Sequence, residues 1–443
     1  MKKLLLFLSV IILCLAFFSC TKSIDLQDYV IVISENANTT TKYASENLST
    51  LIEEKTGKKI EIVTDANAER EKEILIGETT RADSKTSVTL SKGQYLVFER
   101  NDKIVIKGDG IYVGAGCSDF ANKYLLTDTS SSQIKLKDIP SSEQIFDYKA
   151  QDECKSVIFM IGDGMGENHI KMAEFCQMPT FIARQFPSIG TSITRSLSVI
   201  KGLASSTDSA ASATAMSTGY KTLNDYIGVD KNGEVLKNVR ELARENGAKT
   251  AVITTDLITG ATPSAYLCHN ISREDTEGLQ AEIDRIIKEK EIDYIAGEVD
   301  NALTDKTKEA LWQISSDGSQ FFIMIEEAQI DKASHSKEEE LAVEYVKRFN
   351  DAITYATQFA LCHPDTALIV TADHETGNLG KINGAPCGYY FRSYAHTNLD
   401  TPIFAIGAGT QSLKESRVEN IELAKICAKA YSGAPFGQER VEE

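Results

Sequence analysis

The chain has 443 residues, 42% hydrophobic and 25% charged, the balance of an ordinary globular protein with room for two or three domains. Its formal net charge of −17 leaves no broad basic face to neutralise a phosphate backbone, so nucleic acid is not an expected partner. A small anionic ligand stays open, because a few cations inside a pocket would decide that attraction.

Met1-Lys2-Lys3 leads into an apolar run from Leu4 to Phe18 and then Ser19-Cys20. The run is shorter than the ~20 apolar residues of a membrane span, and its basic start and small residue before the break predict an export leader over residues 1–20. Cys20 resembles the acceptor cysteine of a bacterial lipoprotein. The expected location is therefore the cell envelope, on its periplasmic or surface side, with a membrane anchor at Cys20. A plain signal peptide cut nearby is the other reading. Beyond the leader lie Cys117, Cys154, Cys176, Cys268, Cys362, Cys387 and Cys427, with no CxxC spacing, which argues against thiolate ligation of zinc. Export permits disulfides, and an odd count leaves at least one thiol free.

Residues 27–145 predict a small α/β domain. Its strands are Tyr29 to Ile33, Ile60 to Val63, Glu73 to Gly77, Gln94 to Phe98 and Lys103 to Gly108, with helical stretches from Thr41 to Lys55 and Tyr112 to Leu125. The pattern is similar to the accessory domain that precedes the catalytic domain in many secreted glycoside hydrolases. No acid–base constellation occurs in it, so docking or spacing is the expected role. A polar connector from Thr127 to Glu153 follows.

Residues 154–435 repeat one theme: apolar runs that end in polar or acidic residues, namely Val157 to Asp163, Ala251 to Asp256, Phe321 to Glu326 and Leu368 to Asp373. A fifth run is Phe404 to Gly407, and helical stretches such as Asn238 to Asn246 and Glu338 to Leu361 lie between. Short, doubly apolar strands alternating with helices predict a doubly wound α/β fold with a mostly parallel sheet. Functional groups in such sheets gather beyond the carboxyl ends of the strands, where Asp163, Glu326 and Asp373 stand.

Those carboxylates have company. Asp163 lies in a glycine-rich turn, His374 follows Asp373, and Asp331 and His335 are four apart, on one face of a helical turn. With His396, three of the six histidines fall beside strand-end carboxylates in the last third of the chain. Imidazole with carboxylate suits zinc, and all-oxygen sets suit magnesium. Between these clusters runs Thr207-Asp208-Ser209-Ala210-Ala211-Ser212, an alanine-rich helix start that Asp208 or Ser209 would cap. Ser209 there is either a simple cap or a nucleophile in the positive end of a helix dipole.

The ordered set of Ile161 to Gly166, Thr207 to Thr214, Gly219 to Thr222, Ala261-Thr262-Pro263, Ser272-Arg273, Asp331 to His335, Thr371 to Glu375 and His396-Thr397 resembles the alkaline phosphatases, from about Ser156 to Gly409. The resemblance implies an alkaline phosphatase-like α/β/α sandwich that hydrolyses small phosphate monoesters through a phosphoserine on Ser209. It implies one zinc on Asp331, His335 and His396, and a second on Asp163, Asp373, His374 and, during turnover, Ser209. A magnesium would fall to Asp163, Thr262 and Glu326. Arg273 matches the arginine that grips two phosphate oxygens, a task suited to its planar fork, and Lys332 matches a position near the phosphate or the third metal. A homodimer is a further possibility that the family brings.

The chain also departs from the family. Gly260 stands where an Asp or His usually supports the third metal, and Ser334 where many members have another residue. Only 53 positions separate Arg273 from Glu326, so an insertion of the larger members is missing. The rivals are a phosphodiesterase of the same superfamily and a non-catalytic, glycan-binding surface lipoprotein. A sulfatase is excluded, since Cys362-His363-Pro364-Asp365-Thr366 lacks the required arginine.

Overall fold

A computed structural model describes residues 23–24, 26–126, 134–136, 139–176, 178–385 and 387–441. The leader and Cys20 lie outside the described residues. Among the described residues no helix is long and apolar enough to cross a membrane. The chain divides into two compact units, Met1–Tyr148 and Lys149–Glu443.

The first unit is built on a six-stranded sheet. Its strands are β1 (Val30–Ile33), β2 (Ile62–Thr64), β3 (Glu73–Ile76), β4 (Gln94–Arg100), β5 (Lys103–Gly108) and β6 (Ile145–Asp147), in the order β2-β1-β3-β5-β4-β6. The first four strands in that order run parallel, and β4 returns antiparallel to β5 across the tight turn at Asn101-Asp102. Helix α1 (Thr39–Thr56) starts where the Asn38 carboxamide accepts from Thr41 N and stops at Gly57, in the left-handed conformation. Val30, Val32, Leu75, Leu96, Phe98 and Val105 form its core.

The second unit holds an eight-stranded sheet. In chain order the strands are β7 (Ser156–Gly162), β8 (Ser188–Ile193), β9 (Lys249–Thr254), β10 (Tyr294–Ala296), β11 (Phe321–Glu327), β12 (Thr366–Thr371), β17 (Thr401–Gly407) and β18 (Arg417–Glu419). The numbers between belong to four short strands beyond β12: β13 (Glu375–Thr376), β14 (Leu379–Lys381), β15 (Tyr389–Phe391) and β16 (His396–Thr397). The sheet order is β10-β9-β11-β7-β12-β17-β8-β18. All neighbours are parallel except that β17 runs against both β12 and β8. Strands β7, β11 and β17 are buried along their whole length, as expected when helices cover both faces.

Val157, Phe159 and Ile161 of β7 and Phe322 and Met324 of β11 pack on one face against Ala210, Ala213 and Met216. These last three belong to helix α4 (Ser209–Thr218), which is buried at every residue. Small side chains let that backbone sit close to the sheet, and the helix has no face exposed to solvent. Each fully buried Val, Ile or Phe here contributes about 1.5–3 kcal/mol. A disulfide joins Cys176 to Cys387 across 211 residues of sequence, and the five other described cysteines form no disulfide.

Candidate active site

Strand register gathers the acidic residues. Ile161 pairs with both Glu326 and Thr371, and Thr254 pairs with Glu326. Asp163, Asp373 and Asp256 therefore each stand two residues past one common level, with Glu326 at that level between them. Because β17 runs the opposite way, His396 precedes its start and still arrives at the same end of the sheet. Helix α9 (Gln329–Ser336) follows β11 directly and carries Asp331 and His335 on successive turns.

Ligand atoms of Asp163, Asp373 and His374 lie within 4.8 Å of one another, as do those of Asp331, His374 and His396. His335 joins the second group through Nε2, which is 2.9 Å from His396 Nε2 and 3.3 Å from Asp331 Oδ2. His374 is thus shared between two groups that the resemblance implied were separate.

The tautomers are set by what lies behind each ring. His335 Nδ1–H donates to the Tyr394 carbonyl (2.5 Å) and His396 Nδ1–H to the Thr207 carbonyl (2.9 Å). The Thr376 hydroxyl donates to Asp331 Oδ1 (2.5 Å) and can accept from His374 Nδ1–H (3.2 Å). In the neutral rings every Nε2 then presents a lone pair inward, two of them facing each other at 2.9 Å. Such an arrangement repels itself unless a cation sits among them, and an acceptor behind each imidazole that takes its Nδ1–H is the usual mark of a metal site.

Electrostatics point the same way. Burial, then the neighbouring Asp373, Asp331 and Glu326, holds the Asp163 carboxyl well above its usual range. Burial pushes Asp373 up to about 6 and Glu326 up to about 8. Burial also works against ionisation of Asp331, but hydrogen bonds to His335 and His396, which raise both imidazoles and would make their Nε2–H groups donors in place of a cation, outweigh it and hold that carboxyl well below its usual range. His374, buried and beside His396, is held well below an ordinary imidazole and stays neutral. Asp163 Oδ1, Asp373 Oδ2 and the Thr262 hydroxyl are buried without any hydrogen bond. Carboxylates crowded this closely in a dry site need cations or protons, and hard or borderline metal ions suit these donors.

Ser209 opens α4 and is buried, with its hydroxyl 3.2 Å from His374 Nε2. Asp208, rather than Ser209, caps the helix: its Oδ1 accepts from Ala211 N (3.0 Å). Its Oδ2 accepts from Asp225 N (3.0 Å) and from Arg273 Nη1 (3.3 Å), which turns Arg273 toward the start of α4. Ser212, one turn on, donates to the Asp373 carbonyl (2.5 Å) and ties the helix to the loop after β12. Glu326 accepts from the Thr254 hydroxyl, and Lys332 pairs with Asp256. Ser334 points away from these groups, donating to the Ile330 carbonyl (2.7 Å) and meeting His169 Nε2 at 3.0 Å.

Sequence reasoning passed over Asp208 as the holder of Arg273, Thr376 as the link between Asp331 and His374, and Ser212 as a brace. The only available signal was their place beside residues already singled out.

A family model described as alkaline phosphatase matches residues 154–300 and 279–406. Alkaline phosphatase 4 of Bacillus subtilis (strain 168) is 31% identical over 304 residues, covering 52% of this chain and 63% of that protein. Alkaline phosphatase 3 of the same organism is 28% identical over 353 residues, covering 64% and 75%. Among solved structures, the alkaline phosphatase from the Antarctic bacterium TAB5 is 28% identical at a TM-score of 0.57, covering 63% of this chain and 98% of that one. The family match falls on the second unit and takes in every strand end that carries a carboxylate or imidazole described above, so the chain belongs to the alkaline phosphatase family.

Proposed function

We propose that this chain hydrolyses phosphate monoesters through a phosphoserine on Ser209. The observation that carries the reading is the Ser209 hydroxyl, buried at a helix N-terminus and 3.2 Å from His374 Nε2, where two groups of potential ligands meet. The buried atoms left without hydrogen bonds fit the family's metals, two zinc ions and one magnesium. Asp331, His335 and His396 would hold one zinc; Asp163, Asp373, His374 and Ser209 the other; Asp163, Thr262 and Glu326 the magnesium. When bound, these ions supply positive charge to the entering and leaving oxygens of an in-line displacement. Magnesium occupies the M3 site of a TAB5 alkaline phosphatase mutant that is 27% identical to this chain, which supports the third assignment.

The chain's own groups do the rest. Neutral His374, with Nε2 3.2 Å from the Ser209 hydroxyl, sets a metal ligand directly beside the serine oxygen. The α4 N-terminus favours both an anionic serine oxygen and a phosphate lying over it. Arg273, steadied by Asp208, offers its fork to the non-bridging oxygens and stabilises charge as the phosphoryl group transfers. Water then takes the phosphoryl group from Ser209 and restores the hydroxyl. The presence of Arg273 and Glu326 favours monoesters over diesters.

The test is an assay of the exported portion on a phosphate monoester and a diester at mildly alkaline pH, with zinc and magnesium and then with a chelator. Monoester turnover lost on chelation and in Ser209→Ala is the expected result. No monoester turnover by metal-loaded protein would refute the reading, and a preference for the diester would move the chain to the neighbouring branch. We further propose export and lipid anchoring at Cys20, a docking or spacing role for the first unit, and a homodimer as the candidate assembly. Cys20→Ala should release the protein from membranes; unchanged partitioning refutes the anchor.

A further inference from the structure

Position 260 offers no side chain to the third metal, yet the space beside it is filled. Strand β9 ends at Thr254 and is followed by Thr255-Asp256, and a Cβ built on Gly260 would lie 2.8 Å from Asp256 Oδ2 and 3.0 Å from the Leu257 carbonyl. The Asp256 carboxylate thus occupies the place that a residue-260 side chain would take. Its other oxygen, Oδ1, receives the Lys332 ammonium, one residue along α9 from the metal-side Asp331.

The segment is firmly held. Asp256 N donates to Thr254 Oγ1 (2.9 Å), and the same Thr254 hydroxyl donates to Glu326. The Asp256 carbonyl accepts from Glu298 N (2.6 Å). One threonine therefore ties the Asp256 backbone to the buried carboxylate assigned to magnesium. An independent sign of a ligand lies two residues beyond Gly260: the Thr262 hydroxyl is 1% exposed and makes no hydrogen bond.

We infer that Asp256 supplies the supporting carboxylate that Gly260 lacks. It acts on the water shell of the third metal, with Lys332 as its counter-ion, and glycine at 260 is the room it requires. Asp256 is here a positioning residue, and the inference rests on the metal assignment made under the proposed function.

The experiment uses the full zinc-loaded protein and magnesium chloride as the probe, followed by calorimetric titration and by the magnesium-dependent shift in melting temperature. Asp256→Asn keeps the side chain's size and should weaken magnesium binding about 10–100-fold, the usual cost of losing an outer-shell partner, with two zinc ions still bound. Gly260→Asp alone should gain nothing, because the two side chains collide. Asp256→Ala with Gly260→Asp should regain most of the lost affinity. Wild-type magnesium affinity in Asp256→Asn, or zinc lost along with magnesium, would overturn the assignment, as would a wild type that binds no magnesium. Magnesium bound as expected with no monoester turnover would refute the proposed function and leave Asp256 in place.

Discussion

A Cβ at position 164 would lie 2.8 Å from the Thr376 hydroxyl and 2.9 Å from Asp331 Oδ1, in a backbone held at φ +70°. The close approach is functional geometry, because Gly164 N also donates to Asp373 Oδ1 (3.0 Å) and its carbonyl accepts from Thr376 N (3.1 Å). One glycine thus touches residues of both ligand groups. Gly164→Ala is expected to destabilise the fold by about 2–4 kcal/mol, combining left-handed strain with the clash, and to lower zinc content by displacing Asp331. Gly247 is the control: it has φ +84° but nothing within 4 Å of a built Cβ. Gly247→Ala should cost only the strain, about 1–2 kcal/mol, with zinc content unchanged. Urea unfolding and metal analysis of the two variants decide it, and equal zinc content in both would refute the steric argument.

Between elements, the clearest electrostatic link lies away from the metals. His269 follows helix α6 (Ala261–Leu267) and sits between α5 (Val239–Glu245) and α7 (Thr276–Lys288). Its Nδ1 faces Glu282 Oε1 at 3.3 Å, and its Nε2 faces the Leu236 carbonyl at 3.1 Å and Glu241 Oε2 at 3.5 Å. Burial alone would lower its pKa, but the hydrogen bonds to Glu241 and Glu282 prevail and raise it from 6.5 to about 9. A folded-state pKa above the unfolded one means stability that is full below about pH 6.5 and lost as pH rises through about 9. His269→Gln should therefore cost about 2–3 kcal/mol at pH 6 and much less at pH 10, read from urea unfolding at the two pH values. The same loss at both would show that shape, and not charge, matters there.

At this scale much was legible in the sequence. Apolar runs ending in Asp163, Glu326 and Asp373 mark parallel strands whose ends carry carboxylates, since a strand buried on both faces has nowhere else to put one. The four-residue spacing of Asp331 and His335 needs only a helix, and α9 provides it. The cross-chain links were not legible, because they depend on which strands become neighbours. Cys176 meets Cys387 only after 211 residues have folded between them. Asp256 looked like one more strand end, and only its approach to the bare backbone of Gly260 reveals what it fills.

For the molecule as a whole, the proposed metals would be linked to the fold unevenly. Every residue named as a ligand lies in the second unit, while the first has its own sheet and its own core of Val30, Val32, Leu75, Leu96, Phe98 and Val105. In the second unit, Asp163, Glu326, Asp331 and Asp373 are all buried in a chain that already carries a net charge of −17. Without cations these groups must take up protons or repel one another, so binding of the proposed metals would also be folding free energy. A ligand present at a thousand times its dissociation constant adds about 4 kcal/mol to the state that binds it. Chelation should therefore lower hydrogen-exchange protection at the carboxyl ends of β7, β11 and β12 and along α9. Strands β1, β3 and β5 of the first unit should exchange at an unchanged rate. Re-addition of zinc should restore the difference. Equal loss of protection in both units, or none in the second, would mean that the gathered carboxylates and imidazoles are held by the fold alone.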